Sequence, residues 1–195
     1  MSENWARRIV ASAMHAFDRS SYAFFHVMFC MIFLTMLMAQ VLPQIPKIQG
    51  ESLSGHKVVL PDAAAGKVAV LIFGFSKASK VPTSAWASKL LADFGTRPDV
   101  EVYQLPVLED VPRLVRGMVI SGIKKGVPEN RRDHFVPILQ HEAELKKFVQ
   151  YGEPDDAYVV VLSRAGNLVE QSHGTPNEAN YSPVRAEIES ALNQK

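Results

Sequence analysis

The sequence predicts an α/β fold, a sheet with flanking helices, preceded by one N-terminal transmembrane helix. Three observations predict it. Residues 22–42 contain no Asp, Glu, Lys or Arg. Val68 to Phe75 reads Val-Ala-Val-Leu-Ile-Phe-Gly-Phe, a run that suits a strand buried on both faces. From there, strand-like and helix-like segments alternate towards the C-terminus, including a hairpin and a closing helix.

The N-terminal part is read first. As a helix, residues 22–42 would rise about 31 Å, which matches a hydrocarbon core of about 30 Å. A cleaved signal peptide would have a shorter apolar stretch and a small-residue cleavage site. Leu37-Met38-Ala39 lacks a small residue at its first position, so an uncleaved signal-anchor is the favoured reading. A mitochondrial presequence would also be amphipathic and bear arginines, but Glu3, Asp18 and the long apolar run suit it less well. Trp5, Ile9, Ala13 and Phe17 share one helical face that could lie on a membrane surface. Arg7, Arg8 and Arg19 precede the span, while Lys47 and Lys57 follow it. This bias places the N-terminus inside and the soluble domain outside, in an inner or plasma membrane crossed once. The expected organisation is an N-terminal cytoplasmic segment (1–21), an anchor (22–42), a linker (43–56) and a soluble domain (57–195).

Composition removes several function classes. The 195 residues hold 21 Lys plus Arg against 20 Asp plus Glu, a formal net charge of +1. Bulk nucleic-acid binding usually needs a strong basic excess, so no nucleic acid is expected as a partner. Cys30 is the only cysteine and falls inside the expected span. One cysteine cannot form an intramolecular disulfide, a CxxC pair or a cysteine zinc cage. His134 and His141 are separated by Pro137, and phosphate-binding glycine motifs are absent. No metal and no cofactor are expected.

Each element of the soluble domain has its own signal. Ser54-Gly55-His56 reads as a turn and Lys57 to Leu60 as a short strand. Val68 to Phe75 is the buried strand. Thr83 to Phe94 sets Trp86, Leu90 and Phe94 four apart, an amphipathic helix stopped by Gly95. Val100 to Leu105 is the next strand, giving the strand–helix–strand unit that makes a parallel pair. Asp110 is expected to cap a helix with Pro112 in its first turn, Leu114, Val115, Met118, Val119 and Ile123 as its stripe, and Gly126 as its end. Pro128 to His134 reads as a short helical piece and Glu142 to Gln150 as a further helix. Ala157 to Leu162 and Leu168 to His173 are hairpin strands around Arg164-Ala165-Gly166-Asn167. Ser182-Pro183 is expected to open the last helix, with Val184, Ile188 and Leu192 on one face.

The stretch GKVAVLIFGFSKASKVPTSAWASKLLADF (66–94) resembles the strand, active loop and helix of thioredoxin-like and redoxin proteins. AYVVVLSRAGNLV resembles their C-terminal hairpin. With VYQLPVLEDVPRLVRGMVISGIKKGVPENRRDHFVPIL between them, the domain most resembles the thioredoxin-like assembly factor family of mitochondrial ATP synthase. The resemblance runs from Pro46 to Leu192. It implies a thioredoxin-like sheet with flanking helices and a role in assembling the membrane-embedded proton-channel subunit.

The chain departs from the redox members of that superfamily at their active site. Their CxxC opens the helix after the central strand, where a thiolate is stabilised. The matching positions here are Ser79, Lys80, Val81 and Pro82. The position of their cis-proline falls at Tyr158. A degenerate loop of Ser79, Lys80, Val81, Pro82 and Tyr158 cannot exchange disulfides. Ser79 with His56 or His173 as base has no supporting spacing. Arg113, Arg116, Lys124, Lys125, Arg131 and Arg132, opposed within their stretch only by Glu129, form a candidate surface for a partner or for membrane headgroups. Solvated helix-face charges are the plainer reading of the same six residues.

The expected function is that of a non-redox, membrane-anchored, chaperone-like assembly factor. Its partners would be the bilayer and another membrane protein or complex. Two alternatives stay open: a redoxin-class enzyme of peroxide or thiol–disulfide chemistry, and a small-ligand-binding extracytoplasmic module.

Overall fold

The structure, a computed structural model, describes residues 45–194. The expected cytoplasmic segment and transmembrane span lie outside the described residues. Among the described residues, no helix is long and apolar enough to cross a membrane.

Ten elements follow in order: β1 (Ile48–Glu51), β2 (Lys57–Leu60), β3 (Val68–Gly74), α1 (Lys80–Phe94), β4 (Val100–Pro106), α2 (Arg113–Gly126), α3 (Glu142–Phe148), β5 (Ala157–Leu162), β6 (Leu168–His173) and α4 (Glu178–Asn193). Short 3-10 turns occupy Asp62–Ala64 and Glu129–His134. The main sheet has the order β4-β3-β5-β6. β3 and β4 are parallel, with Val68 opposite Val100 and Gly74 opposite Pro106. β5 is antiparallel to β3, with Gly74 opposite Ala157, and β6 is antiparallel to β5.

The apolar run of β3 has a direct cause. All seven of its residues are buried, because both faces of the sheet are covered. Val68, Val70 and Ile72 face α1 and α4, where they join Trp86, Leu90, Phe94, Tyr181, Val184 and Ile188. Ala69, Leu71 and Phe73 face the other layer, with Ile48, Leu60, Leu105, Val136, Ile138 and Leu145. Successive strand residues point to opposite faces, so two apolar layers need an unbroken apolar strand. β5 meets the same demand with Ala157 to Leu162 buried throughout.

Four details differ from the sequence expectation. The 43–56 stretch, read as linker, contains β1, which pairs with β2 around a turn at Gly55 (φ 95°). Its signal is weak because Ile-Gln-Gly-Glu holds one strong strand former and a glycine. Gly50 is required there, since a Cβ would lie 2.5 Å from the Val136 side chain. α1 starts three residues earlier than Thr83, at Lys80. Pro82 is tolerated in its first turn, where the amides have no intrahelical acceptor. α2 is not capped by Asp110; its N-cap is Pro112, in extended conformation and without a side-chain cap.

The start of α4 is the fourth. It opens at Glu178, ahead of Ser182-Pro183. The Asn177 side chain accepts from the amides of Ala179 and Asn180, and the Asn180 side chain accepts from the Asn177 amide. This reciprocal cap fixes the start, and Pro183 lies inside the helix.

Candidate functional site at the C-terminal end of the parallel strands

β3 and β4 end side by side, and the Val107 amide donates to the Gly74 carbonyl at 2.8 Å. The loop before α1 and the segments at the start of β5 and the end of β6 gather at this end through the strand registers.

Ser79 sits at the N-cap of α1 and is 1% exposed. Its hydroxyl donates to the Ser76 carbonyl at 2.8 Å and accepts from the Ser76 amide at 3.3 Å. The Ser79 amide donates to the Ser76 hydroxyl at 3.0 Å. Ser76 in turn donates to Asp155 Oδ1 at 2.8 Å, tying the loop to the segment before β5. Gly74 makes room for this knot, because a Cβ there would stand 2.6 Å from Ser79 Oγ. Ser79, expected from the sequence as the counterpart of a thiol, is therefore a buried hydroxyl closing a turn. A nucleophilic serine needs a base within hydrogen-bond reach. His173 Nδ1 is paired with Asp156 Oδ2 at 2.9 Å, and His56 Nδ1 with Asp133 Oδ1 at 2.7 Å. Neither histidine is a hydrogen-bond partner of Ser79.

The other residues of the degenerate loop separate by burial. Pro82 is buried, Lys80 is exposed and Val81 is 73% exposed. Tyr158 is buried in β5 one residue inside the strand. Its hydroxyl accepts from the amides of Gly152 and Glu153, at 2.9 and 2.8 Å, and donates to the Glu153 carbonyl. Its ring joins Phe75 and Tyr151 in an aromatic cluster, with His173 stacked at 6.0 Å. Lys146 lies over Tyr151 at 4.8 Å and pairs with Glu142 at 2.5 Å. Its ammonium is held in the charged form first by the Glu142 hydrogen bond. Ser76, Tyr151, Asp155 and Asp156 carried no motif in the sequence; the strand registers and loops bring them together.

The six basic residues differ in burial and in hydrogen bonding. The Arg116 guanidinium donates to the carbonyls of Glu109 and Val111, at 2.9 and 3.0 Å. Arg131 donates to the Val102 carbonyl at 2.7 Å, and Arg132 to the Val127 carbonyl at 3.3 Å. Burial lowers the Arg131 pKa, opposed by the charge of Glu101. Arg113, Lys124 and Lys125 are exposed. α2 itself has no buried residue; Leu114 is 99% and Met118 76% exposed. Among the described residues there is no group of three or more His, Cys, Asp or Glu side chains placed to hold a metal.

No protein-family model matches the chain, and no curated protein does. Solved structures do. The chain is similar to BsSco, a member of the Sco family of cytochrome c oxidase assembly proteins, at 14% identity and TM-score 0.55, covering 80% of this chain and 96% of that one. It is also similar to Etrx1, a pneumococcal exposed lipoprotein thioredoxin of Streptococcus pneumoniae, at 15% identity and TM-score 0.53, covering 73% and 99%. At these identities the likeness speaks for the fold, and it agrees with the order and pairing of the strands. The fold of residues 45–194 is thioredoxin-like.

Proposed function

We propose that this protein is a membrane-anchored, non-redox thioredoxin-like protein that binds another membrane protein and assists assembly of its complex, with the membrane sector of ATP synthase as the first client to test. The observation that carries the reading is Ser79: the residue read as the counterpart of a thiol is a buried hydroxyl bonded to Ser76, and the chain's one cysteine lies far away in sequence. A thioredoxin-like domain without thiols keeps its binding surfaces and loses disulfide exchange. The charge-free 22–42 stretch supports the anchor. The resemblance to the ATP synthase assembly factors supports the client. The Sco family's being cytochrome c oxidase assembly proteins is in keeping with such a use of this fold.

The test is a crosslinked pull-down of the full-length protein from native membranes, read by mass spectrometry. Subunits of one membrane complex are expected to co-enrich. Disulfide exchange or peroxide reduction by full-length Cys30→Ser protein would overturn the non-redox part. Recovery of no membrane protein would overturn the assembly part.

A further inference from the structure

α2 is a helix with two unequal faces. Val119, Ile120 and Ile123 are half-buried, while Leu114, Val115 and Met118 are exposed. Those three and Val81 are the large apolar side chains left exposed among the described residues. Exposed apolar side chains that cluster mark a contact surface, whereas scattered ones do not.

The topology places all four at one end of the sheet. Val81 lies in the first turn of α1, which follows β3. Leu114, Val115 and Met118 lie in the first two turns of α2, which follows β4, the parallel neighbour of β3. The chain also enters the domain from this end. Phe135 and Ile138 bridge in parallel to Gln104 of β4 and to Val107 just past its end. β1 runs against them in the opposite sense, with Gly50 beside Val136–Ile138 and Leu53 donating to the Phe135 carbonyl. Residues 45–47 therefore come from the Val107 side, where β4 ends.

The tether is short. Ile45 is already part of the core, 7% exposed. Three Cα steps separate it from Leu42, a reach of at most about 11 Å.

We infer that this end of the domain, through Leu114, Val115, Met118 and Val81, lies on the lipid surface. The inference rests on the membrane-anchored reading given above. Apolar contact is the driving force. Lys77, Lys80 and Arg113 are exposed at this end, but so are Glu109, Asp110, Glu153 and Asp155. With cations and anions mixed, attraction to anionic headgroups gains little, and docking proceeds on zwitterionic lipid. Lys124 and Lys125, at the far end of α2, stay in water.

The test uses full-length protein in phosphatidylcholine nanodiscs containing a doxyl-labelled phosphatidylcholine. In a Cys30→Ser background, Leu114→Cys, Met118→Cys and Lys124→Cys are each labelled with an environment-sensitive fluorophore. Positions 114 and 118 are exposed, so substitution leaves the fold intact. Labels at 114 and 118 are expected to shift to the blue and to be quenched by the lipid at least threefold more than the label at 124. Equal quenching at all three positions, with the protein retained in membranes after carbonate extraction, overturns the docked face and leaves the anchor standing. Loss of the protein on carbonate extraction overturns the anchor. Shielding of 114 and 118 from an aqueous quencher without lipid quenching overturns the inference by showing a protein occupant, a second copy or a client.

Discussion

At the scale of single residues, Gly74 and Ser79 act as one unit. A Cβ at Gly74 would stand 2.6 Å from Ser79 Oγ but 3.6 Å from Ser79 Cβ. Ser79→Ala leaves the Ser76 carbonyl and amide without that hydroxyl, and is expected to cost about 1–3 kcal/mol. Gly74→Ala crowds the knot and is expected to cost about 1–3 kcal/mol. The double variant removes the clashing oxygen, so its cost should fall short of the sum. Urea unfolding of the four proteins measures this, and strict additivity would show that the two sites do not meet. The sequence shows a serine where the resemblance implies a thiol. It does not show the bond to Ser76 as a substitute for chemistry, because a hydroxyl reads the same whether free or satisfied.

At the scale of elements, helix starts separate what capping decides from what periodicity decides. Asn177 caps α4 through two amides, whereas Asp110 caps nothing. Asn177→Ala is expected to lower stability by about 0.5–2 kcal/mol. Asp110→Ala should change it by less than about 0.5 kcal/mol. Thermal melts of the two variants check the contrast, and equal losses would refute it. Strands β2, β5 and β6 have the bounds that their residue patterns imply, because those patterns report burial directly. The start of α4 was less legible, since Ser-Pro is a strong opening signal and the competing Asn177–Asn180 pair lies in a four-residue stretch, Asn-Glu-Ala-Asn, that resembles ordinary loop sequence.

At the scale of the whole molecule, the edge of the sheet carries a titrating network. Glu101 of β4 pairs with Lys67 and His134, and the Tyr103 and His134 rings lie 5.1 Å apart. Burial opposes ionisation of Glu101, but Lys67 and His134 hold its carboxyl below the ordinary range. Its stabilisation is present above the unfolded carboxylate value, about 4.3, and is lost as pH falls through the lower folded value. Burial, helped by the charge of Glu101, pushes the Tyr103 phenol up to about 12. Here the neutral form is favoured in the fold, so the contribution is whole below the unfolded value of about 10 and is lost as pH rises towards the folded one. Absorbance titration at 295 nm should show a tyrosine ionising late that is absent in Tyr103→Phe. An unchanged titration in that variant would contradict it. Tyr181 is also raised, by burial and its bond to Asp93, so the comparison with the variant is needed.

The sequence by itself determined the α/β class, the central strands and the lack of a cysteine pair, because apolar periodicity and residue identity are local properties. Only the tertiary structure decided where the six basic residues act. Arg116, Arg131 and Arg132 turn to backbone carbonyls, leaving Arg113, Lys124 and Lys125 exposed. It also decided that the stripe on α2 is half-buried at Val119 and Ile123 and bare at Leu114, Val115 and Met118. A periodic pattern states which face of a helix is apolar. Whether another element comes to cover that face depends on where the rest of the chain packs.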